Sequence, residues 1–308
     1  MLSLALAAAL SLTDPTGTAI TLPAQPSPLH GTMLAPEGET RAAAVIVAGS
    51  GPTDRNGDSL QFGITAGSYR LLAEGLARQG IATVRYDKRG IAGSVAAGMA
   101  EADLRFDMYI EDARAWAAET ARLTGRSCVW LIGHSEGSMI ALAAARYNDQ
   151  VCGVVSLAGA GRPVPVVLRE QLQAVPEPLR AQAMRAVADL EAGRTTDNVP
   201  GLESLFRPSV QPYLISWFTL DPAALAAGYG RPLFIGQGST DIQTSLADGR
   251  ALKAAQPDAT LVIWEGVNHL LKIAPADRAA NAATYADPEL PLADGVVGAV
   301  AEFILQAR

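Results

Sequence analysis

The sequence predicts an α/β protein built on a doubly wound parallel sheet of eight strands, with helices on both faces. Short apolar runs of strand length recur through the 308 residues, and from the third run onward amphipathic segments of helical length separate them. Strands and helices that alternate in this way form parallel sheets. The chain is also 49% hydrophobic, which is enough to fill the core of one large domain.

The early strands are short or wholly apolar. Strands 18–22 and 29–34 are short and are separated by a proline-rich segment. Strand 43–48 is wholly apolar and ends in a loop rich in glycine and aspartate, residues that permit unusual backbone angles. A helix over 69–79, with leucines at helical spacing, leads to strand 81–86.

The elements after residue 100 follow the same patterns. An amphipathic helix is predicted over 104–123. The next strand, 128–132, is almost wholly apolar, as expected of a strand buried on both faces of a parallel sheet. The remaining core elements are strands 151–157, 232–235 and 260–264 and helices 242–255 and 296–305.

Residues 160–228 differ in character from the rest of the chain. Helical pieces in this stretch are interrupted repeatedly by prolines, and it has no apolar run of strand length that ends in a turn. We therefore predict a helical cap, inserted after the sixth strand and lying over the sheet edge. It divides the core domain into residues 13–159 and 229–308.

Residues 1–12 form an apolar leader of uncertain status. They are too short to span a bilayer and are similar to the core of a signal peptide, with Ala5-Leu6-Ala7 as a cleavage pattern. The positively charged start of a signal peptide is missing, which favours the cytoplasm. A periplasmic or secreted location stays open if these residues belong to a signal peptide. Cys128 and Cys152 lie in apolar runs and are predicted to be buried free thiols.

Composition narrows the classes of partner. The formal charge of -7 and the pI near 5.1 exclude a nucleic-acid partner, because no basic patch is available to neutralise phosphates. No run approaches a membrane span, and no cysteine or histidine cluster suggests a metal. We expect a small-molecule substrate without a cofactor, and homo-oligomerisation stays open.

A G-x-S-x-G pentapeptide, Gly133–Gly137, lies between the fifth strand and a helix-like segment. A turn this sharp strains the serine, and bulk on either side of it would clash with the neighbouring strand and helix. Two glycines remove that bulk and leave the hydroxyl of Ser135 exposed at the carboxyl edge of the sheet. This context predicts that Ser135 is a nucleophile, whereas the pentapeptide alone is a weak signal.

A serine nucleophile needs a base and a carboxylate that orients it. Of the three histidines in the chain, His30 precedes the strands that face the site, and His134 lies inside the turn with its side chain pointing away from Ser135. His269, just past the last strand, is therefore the predicted base. Asp241, just past the seventh strand, is the preferred acid.

Two other aspartates are rivals for the role of the acid. Asp221 precedes a proline and is predicted to start a helix, and Asp248 lies on a helix. The oxyanion formed on attack needs preorganised N–H donors. We predict the backbone N–H groups of Glu136, which follows the nucleophile, and of Ser50 after the third strand, with Gly51 as second choice.

Several segments together resemble the α/β-hydrolases, and more narrowly the bacterial serine esterases related to the serine-aminopeptidase and prolyl-oligopeptidase-like branch. The resemblance extends from about residue 29 to the end of the chain. The sequence departs from that of many relatives at one place: residues 48–50 are Ala-Gly-Ser, where many relatives have His-Gly. The matching segments are Gly49–Gly57, Tyr86–Gly90 with Gly93-Ser94, Gly133–Gly137, Gly236–Asp241 and Asn268-His269. The resemblance implies an eight-stranded, mostly parallel sheet with the second strand antiparallel, and a cap after the sixth strand.

Charged residues also follow the strands at this edge of the sheet. In the family that the chain resembles, residues such as Asp54, Arg55, Asp87 and Arg89 brace loops, and we expect the same here. The alternative is that Arg55 or Arg89 contacts an acidic group of the substrate. Gly51 and three aromatic residues of the insertion are predicted to line the substrate pocket, namely Tyr213, Trp217 and Phe218.

These features predict a carboxylesterase-type serine hydrolase that acts on esters of small or medium acyl chains through an acyl-enzyme. A peptidase or amidase, a thioesterase and an acyltransferase are alternatives that would use the same three residues. A non-catalytic binding module is an alternative of another class, because a fold does not imply a function.

Overall fold

The computed structural model describes residues 17–307, so the predicted leader, 1–12, and residues 13–16 lie outside the described part of the chain. Eight strands form one sheet in the spatial order β1-β2-β4-β3-β5-β6-β7-β8. The strands are β1 (Thr18–Leu22), β2 (Leu29–Leu34), β3 (Ala42–Val47), β4 (Ile81–Tyr86), β5 (Val129–His134), β6 (Val151–Leu157), β7 (Leu233–Gly238) and β8 (Thr260–Trp264).

The sheet is mostly parallel. Strand β2 pairs antiparallel with both β1 and β4, and every later pairing is parallel. In the register of the central strands, Val47 lies beside Gly133, and Gly133 lies beside Ser156. The carboxyl ends of β3, β5 and β6 therefore lie next to one another. This topology confirms the predicted fold class, including the antiparallel second strand.

Helices cover both faces of the sheet, as predicted, and among residues 17–307 none is long and apolar enough to cross a bilayer. The helices are α1 (Ser68–Arg78), α2 (Phe106–Thr124), α3 (Glu136–Ala145), α4 (Val164–Gln171), α5 (Leu179–Glu191), α6 (Glu203–Phe206), α7 (Gln211–Phe218), α8 (Pro222–Ala227), α9 (Leu246–Ala255), α10 (Arg278–Ala283) and α11 (Val296–Gln306).

The sheet separates two hydrophobic clusters. Along β3, Val45 and Val47 belong to one cluster, while Ala44 and Ile46 belong to the other, because successive side chains of a strand point to opposite faces. Buried residues of α2 and α3 fill the first cluster, and buried residues of α1 and α11 fill the second. The central strands are consequently buried on both faces, which explains why they are mostly apolar.

Helices α4 to α8 occupy the stretch between β6 and β7, where the helical insertion was predicted. In the described part of the chain, no strand falls within this stretch. Buried side chains of α4, α5 and α7 join the first hydrophobic cluster. The insertion therefore shares its core with the face of the sheet that α2 and α3 cover.

The prediction that the two cysteines are free thiols is wrong. Cys128 and Cys152 form a disulfide, with their Cα atoms 5.2 Å apart. Cys128 comes directly before β5, and Cys152 lies on the adjacent β6, between Val151 and Gly153, where the pairing of the strands shifts by one residue. The sequence shows that both residues lie in strand-like runs, but it does not show that these two strands are neighbours.

Candidate active site

The strand–turn–helix around Ser135 has the sharp geometry that the pentapeptide predicts. Ser135 adopts φ 53° and ψ −120° between β5 and α3, a conformation that is rare for residues other than glycine. A Cβ atom at Gly133 would lie 2.1 Å from the carbonyl oxygen of Gly137, and one at Gly137 would lie 2.2 Å from that of Val47. Glycine is therefore required on both sides of Ser135.

The predicted acid and base are in direct contact. Asp241 follows β7 and His269 follows β8, and Nδ1 of His269 lies 2.8 Å from Oδ2 of Asp241. Both side chains are almost completely buried. His269 also lines a cavity of about 220 Å³ together with Ser135. The three predicted residues thus come to one end of the sheet from the ends of three parallel strands.

Hydrogen-bond donors surround the carboxylate of Asp241. The backbone N–H groups of Gln243 and Thr244 donate to Oδ1 at 2.8 and 3.0 Å, and the side-chain amide of Gln237 donates to Oδ2 at 3.2 Å. Burial acts to raise the pKa of Asp241, but the His269 ring and the backbone donors outweigh it and hold the pKa below its ordinary value. Asp241 is therefore ionised at neutral pH.

The turn after Asp241 changes one predicted helix boundary. Helix α9 begins at Leu246 and not at residue 242, because the Asp241 carboxylate holds the N–H groups of the preceding turn and Ser245 caps the helix. Gln237 and Thr244 were not identified from the sequence as partners of Asp241. The helix-capping pattern Ser245–Asp248 is the signal that could have placed the turn correctly.

The rival aspartates have other roles. The carboxylate of Asp221 accepts the N–H groups of Ala223 and Ala224 and so caps α8. Asp248 belongs to the capping box of α9 and forms an ion pair with Arg162 at 2.7 Å. Neither carboxylate is a partner of His269.

The loop that carries His269 is shaped by the fully buried Asn268. Its side-chain oxygen accepts the N–H groups of Leu270 and Lys272 at 2.9 and 3.1 Å. The loop also places Leu271 at a φ of 63°, a value that branched apolar residues seldom adopt. Asn268 thus fixes the turn from which the His269 ring reaches Asp241.

His134 contacts helix α1 and the loop that carries His269, and through Tyr69 it is linked to the loop after β3. Its Nδ1 lies 2.8 Å from the hydroxyl of Tyr69, its Nε2 lies 2.7 Å from the carbonyl oxygen of His269, and the Tyr69 oxygen accepts the N–H of Gly49 at 3.0 Å. Because a carbonyl only accepts, Nε2 carries the proton and Nδ1 accepts from Tyr69. Burial, and then the nearby His269, lower the pKa of His134 to about 3. The ring is neutral and structural, and the contribution of Tyr69 was missed from the sequence.

The predicted oxyanion loop lies beside Ser135. Ser50, Gly51 and Glu136 all line a cavity of about 440 Å³ together with Ser135. Glu136 is the first residue of α3, where the N–H groups have no partner within the helix. The residues that carry the predicted donors therefore lie at the same cavity as Ser135.

Most of this cavity is lined by the insertion and is apolar. Of the predicted pocket residues, Gly51, Tyr213 and Trp217 line it, but Phe218 does not. Phe218 packs against the first hydrophobic cluster instead, because consecutive residues of a helix point in directions about 100° apart. The apolar lining also includes Met139, Val164, Val167, Leu168, Leu205, Val210 and Leu214.

The charged residues at the sheet edge act as braces, as expected. Arg55 pairs with Asp87 at 2.8 Å, and Asp87 also accepts the backbone N–H groups of Arg55 and Gly93. Asp54 accepts N–H groups of its own loop. Arg89 forms a two-pronged ion pair with Asp112. Among residues 17–307, no group of three or more histidine, cysteine, aspartate or glutamate side chains is placed to hold a metal ion.

Solved structures with the same fold include esterases and a peptidase. Est1E from Butyrivibrio proteoclasticus, determined with ferulic acid bound, aligns with a TM-score of 0.61 and 15% identity over 93% of this chain and 96% of its own. Proline iminopeptidase from Mycobacterium smegmatis aligns with a TM-score of 0.56 and 14% identity over 94% and 98%. An esterase from Pyrococcus furiosus aligns with a TM-score of 0.55 and 14% identity over 93% and 89%.

These identities are low and show a shared fold alone. No curated protein sequence is significantly similar to the chain. The sequence model of the family described as serine aminopeptidase, S33, matches residues 62–287. This match covers most of the chain, including the turn around Ser135, the insertion and the segments that carry Asp241 and His269. The chain therefore belongs to the S33 serine aminopeptidase family of α/β-hydrolases.

Proposed function

We propose that the protein is a serine hydrolase that cleaves carboxylic esters of small or medium acyl chains through an acyl-enzyme. The observation that carries the proposal is the contact of 2.8 Å between His269 and Asp241, in a site where the strained Ser135 lines the same cavity as His269. An ionised acid, an oriented imidazole and an exposed hydroxyl are the groups that acyl transfer to serine requires.

Each residue has one role in the proposed reaction. Asp241 accepts the Nδ1–H of His269, which leaves the lone pair of Nε2 free to take the proton of Ser135. The serine oxygen attacks the ester carbonyl, and the N–H groups of Ser50 and Glu136 stabilise the oxyanion. His269 passes the proton to the leaving alcohol. A water molecule, activated in the same way, then releases the acid.

The cavity supports the choice of acyl group. Its volume of about 440 Å³ and its mostly apolar wall suit a hydrocarbon chain that leaves water on binding. Burial, and then the Glu136 carboxylate, raise the pKa of Tyr213 well above its ordinary value. Tyr213 is therefore protonated at neutral pH, and its hydroxyl is buried near the Glu136 carboxylate.

Amide hydrolysis is the second candidate, because the family is described as serine aminopeptidases and one similar structure is a proline iminopeptidase. An aminopeptidase needs an unpaired carboxylate that binds the ammonium group of its substrate. The carboxylates that line this cavity and the adjoining one are Glu136 and Glu101. Both already form ion pairs, with Lys88 and Arg207 respectively. We therefore prefer an ester substrate.

The test is the hydrolysis of p-nitrophenyl esters from acetate to decanoate. We expect turnover of the shorter esters, and kcat lower by about 10⁴-fold or more in Ser135→Ala and His269→Ala and by about 10³- to 10⁴-fold in Asp241→Asn. Asp221→Asn is the matched control, since that carboxylate only caps α8, and it should keep the parent kcat.

A fluorophosphonate probe separates the alternatives. Labelling at Ser135 without ester turnover would move the proposal to amides or thioesters, and a faster reaction with an added alcohol would indicate acyl transfer. A protein that neither hydrolyses esters nor reacts with the probe is a binding module and not a hydrolase.

We also propose that the protein works in an oxidising compartment, the periplasm or outside the cell. The disulfide between Cys128 and Cys152 supports this location, because cytosolic reductants keep most thiols reduced. This reverses the preference for the cytoplasm. The location is tested by alkylating thiols in intact cells. Both cysteines should resist the reagent before reduction. Cysteines that are labelled without reduction would indicate the cytoplasm.

A further inference from the structure

Lys88 is a buried lysine that joins the two backbone segments predicted to bind the oxyanion. It lies two residues after β4, and its side chain is 2% exposed. Its Nζ donates to the carbonyl oxygen of Gly49 at 2.6 Å and to Oε1 of Glu136 at 2.8 Å. The side chain of Glu136 is also 2% exposed. One ammonium group thus holds the loop after β3 and the first residue of α3 together.

The two acceptors of Lys88 are directly connected to the two predicted N–H donors. The carbonyl of Gly49 and the N–H of Ser50 belong to the same peptide unit, which is planar, so that in its trans form the C=O and N–H point in opposite directions. A donor that fixes the Gly49 carbonyl on one side therefore fixes the direction of the Ser50 N–H on the other. Glu136 carries the second N–H on its own backbone.

We propose that Lys88 is a positioning residue for the oxyanion site: it sets the direction of the Ser50 N–H, strengthens that N–H as a donor, and holds it at a fixed distance from the Glu136 N–H. This inference rests on the proposed hydrolase function. Lys88 acts through the peptide that it holds, and it does not contact the substrate.

The physical basis is the polarisation of a buried peptide unit. A hydrogen bond from a charged donor is stronger than one between neutral groups, and in a low-dielectric interior the hydrogen bonds of a chain polarise one another. An ammonium bound to the Gly49 oxygen draws electrons toward that oxygen and leaves the Ser50 N–H more positive. Donors that are held in place before the reaction stabilise an oxyanion without a cost of reorganisation.

Stability alone gives a weak reason for a buried ion pair at this position. The cost of removing two charges from water is comparable to their attraction, and well-packed apolar residues often stabilise a fold as much. Tyr69 also holds Gly49, but it accepts the N–H of Gly49, which belongs to the preceding peptide unit. Of these two side chains, only Lys88 acts on the peptide that carries the Ser50 N–H.

The experiment compares Lys88→Met and Lys88→Met/Glu136→Leu with the parent enzyme. The single variant leaves a buried carboxylate unpaired and is expected to lose stability. The double variant removes both charges, so it keeps the fold and carries the test. The control is Arg89→Met/Asp112→Leu, which removes a similar buried ion pair one residue further along the chain, and that pair contacts neither Gly49 nor Glu136.

We expect kcat for a p-nitrophenyl ester to fall by about 10- to 100-fold in the double variant, somewhat less than the loss of a whole oxyanion donor. KM should stay within about twofold. The inhibition constant of an alkyl trifluoromethyl ketone, whose adduct with serine carries an oxyanion, should rise by the same factor as kcat falls. The control should keep kcat within about twofold.

A role limited to folding predicts the opposite set of results. If the double variant recovers the parent kcat and the parent affinity for the ketone, Lys88 only neutralises Glu136 and the proposal is wrong. Equal losses in the double variant and the control would also overturn it. These outcomes differ from a failure of the proposed function, in which the parent enzyme itself neither turns over esters nor binds the ketone.

Discussion

His134 is a buried histidine beside Ser135, the proposed nucleophile, and its contacts hold the candidate site together. Its two ring nitrogens contact Tyr69 and the carbonyl of His269, so the ring connects the helix that carries Tyr69 with the loop that carries the predicted base. The ring is neutral because burial disfavours a second proton, so Nε2 donates to the His269 carbonyl and Nδ1 accepts from the Tyr69 hydroxyl. The stability of the protein should therefore depend on the protonation of this one side chain.

We predict that His134 makes the protein less stable as the pH falls below about 6.5. Its pKa in the folded chain is about 3, below the ordinary value of 6.5. Between these values the unfolded chain binds a proton that the folded chain does not, so this contribution to stability is fully present above pH 6.5 and is lost as the pH falls. At 1.36 kcal/mol per pH unit, the loss between pH 7 and pH 5 is about 2 kcal/mol. Urea unfolding at the two pH values measures it.

The control for this prediction is His134→Gln, whose amide can accept from Tyr69 and donate to His269 but does not titrate. The carboxylates of the protein titrate alike in both proteins, so the difference between their pH dependences isolates His134. The same loss of stability from pH 7 to pH 5 in parent and variant would contradict the prediction.

At the residue scale, the sequence predicts what depends on local geometry. Ser135 and its flanking glycines could be predicted because the constraint lies within five residues, and His269 was found by elimination among three histidines. Lys88 and Tyr69 could not be found, since their partners lie 39 and 20 residues away along the chain. These contacts depend on how close separate loops come after folding, which residue type and spacing do not reveal.

At the scale of elements, the disulfide joins the strand that precedes Ser135 to its neighbour. Cys128 lies at the start of β5 and Cys152 lies on β6, at the end of these strands away from the site. The link closes a loop of 24 residues that contains the turn at Ser135 and helix α3. The disulfide therefore restricts the motion of the segment that positions Ser135.

We predict that removing this link lowers the free energy of unfolding by roughly 3.5 kcal/mol, the loop-entropy value for a loop of this length. The measurement is chemical unfolding of Cys128→Ala/Cys152→Ala beside the oxidised parent. The parent reduced by a thiol reagent is the second comparison and should match the variant. A variant as stable as the oxidised parent would show that the disulfide has no effect on stability. Thiols that react in unfolded, unreduced protein would show that the disulfide is absent.

The elements themselves were predicted more reliably than the contacts between them. Strands β1, β2, β4, β6 and β8 begin and end at the predicted residues, because strand-length runs bounded by turn residues mark buried strands and the exposed edge strands β1 and β8 alike. The order of strands in the sheet depends instead on contacts between segments that are distant in the sequence. The sequence gives no indication that Cys152 lies beside Cys128, and the start of α9 was misplaced because the Asp241 turn looks helical in composition.

At the scale of the whole molecule, the sheet and the insertion contribute different parts of the site. The sheet positions the proposed reacting groups at the ends of its strands, and the insertion supplies most of the apolar cavity wall. In the described part of the chain these two parts share one hydrophobic cluster. The preferred acyl length should therefore change with the insertion while the chemical step does not.

Trp217 and Phe218 allow a direct test of this division, because they are adjacent on α7 and only Trp217 lines the cavity. Trp217 also stacks on Phe106, with ring centroids 5.4 Å apart. Trp217→Ala should enlarge the cavity and move the optimum of the p-nitrophenyl series toward longer acyl chains, with the rate of labelling by a small fluorophosphonate within about threefold of the parent. Phe218→Ala removes a comparable apolar side chain and should keep the parent profile. Identical acyl-length profiles for all three proteins would mean that the acyl chain binds elsewhere. A shift in Phe218→Ala alone would mean that the packing of α7, and not the cavity wall, sets the acyl-length preference.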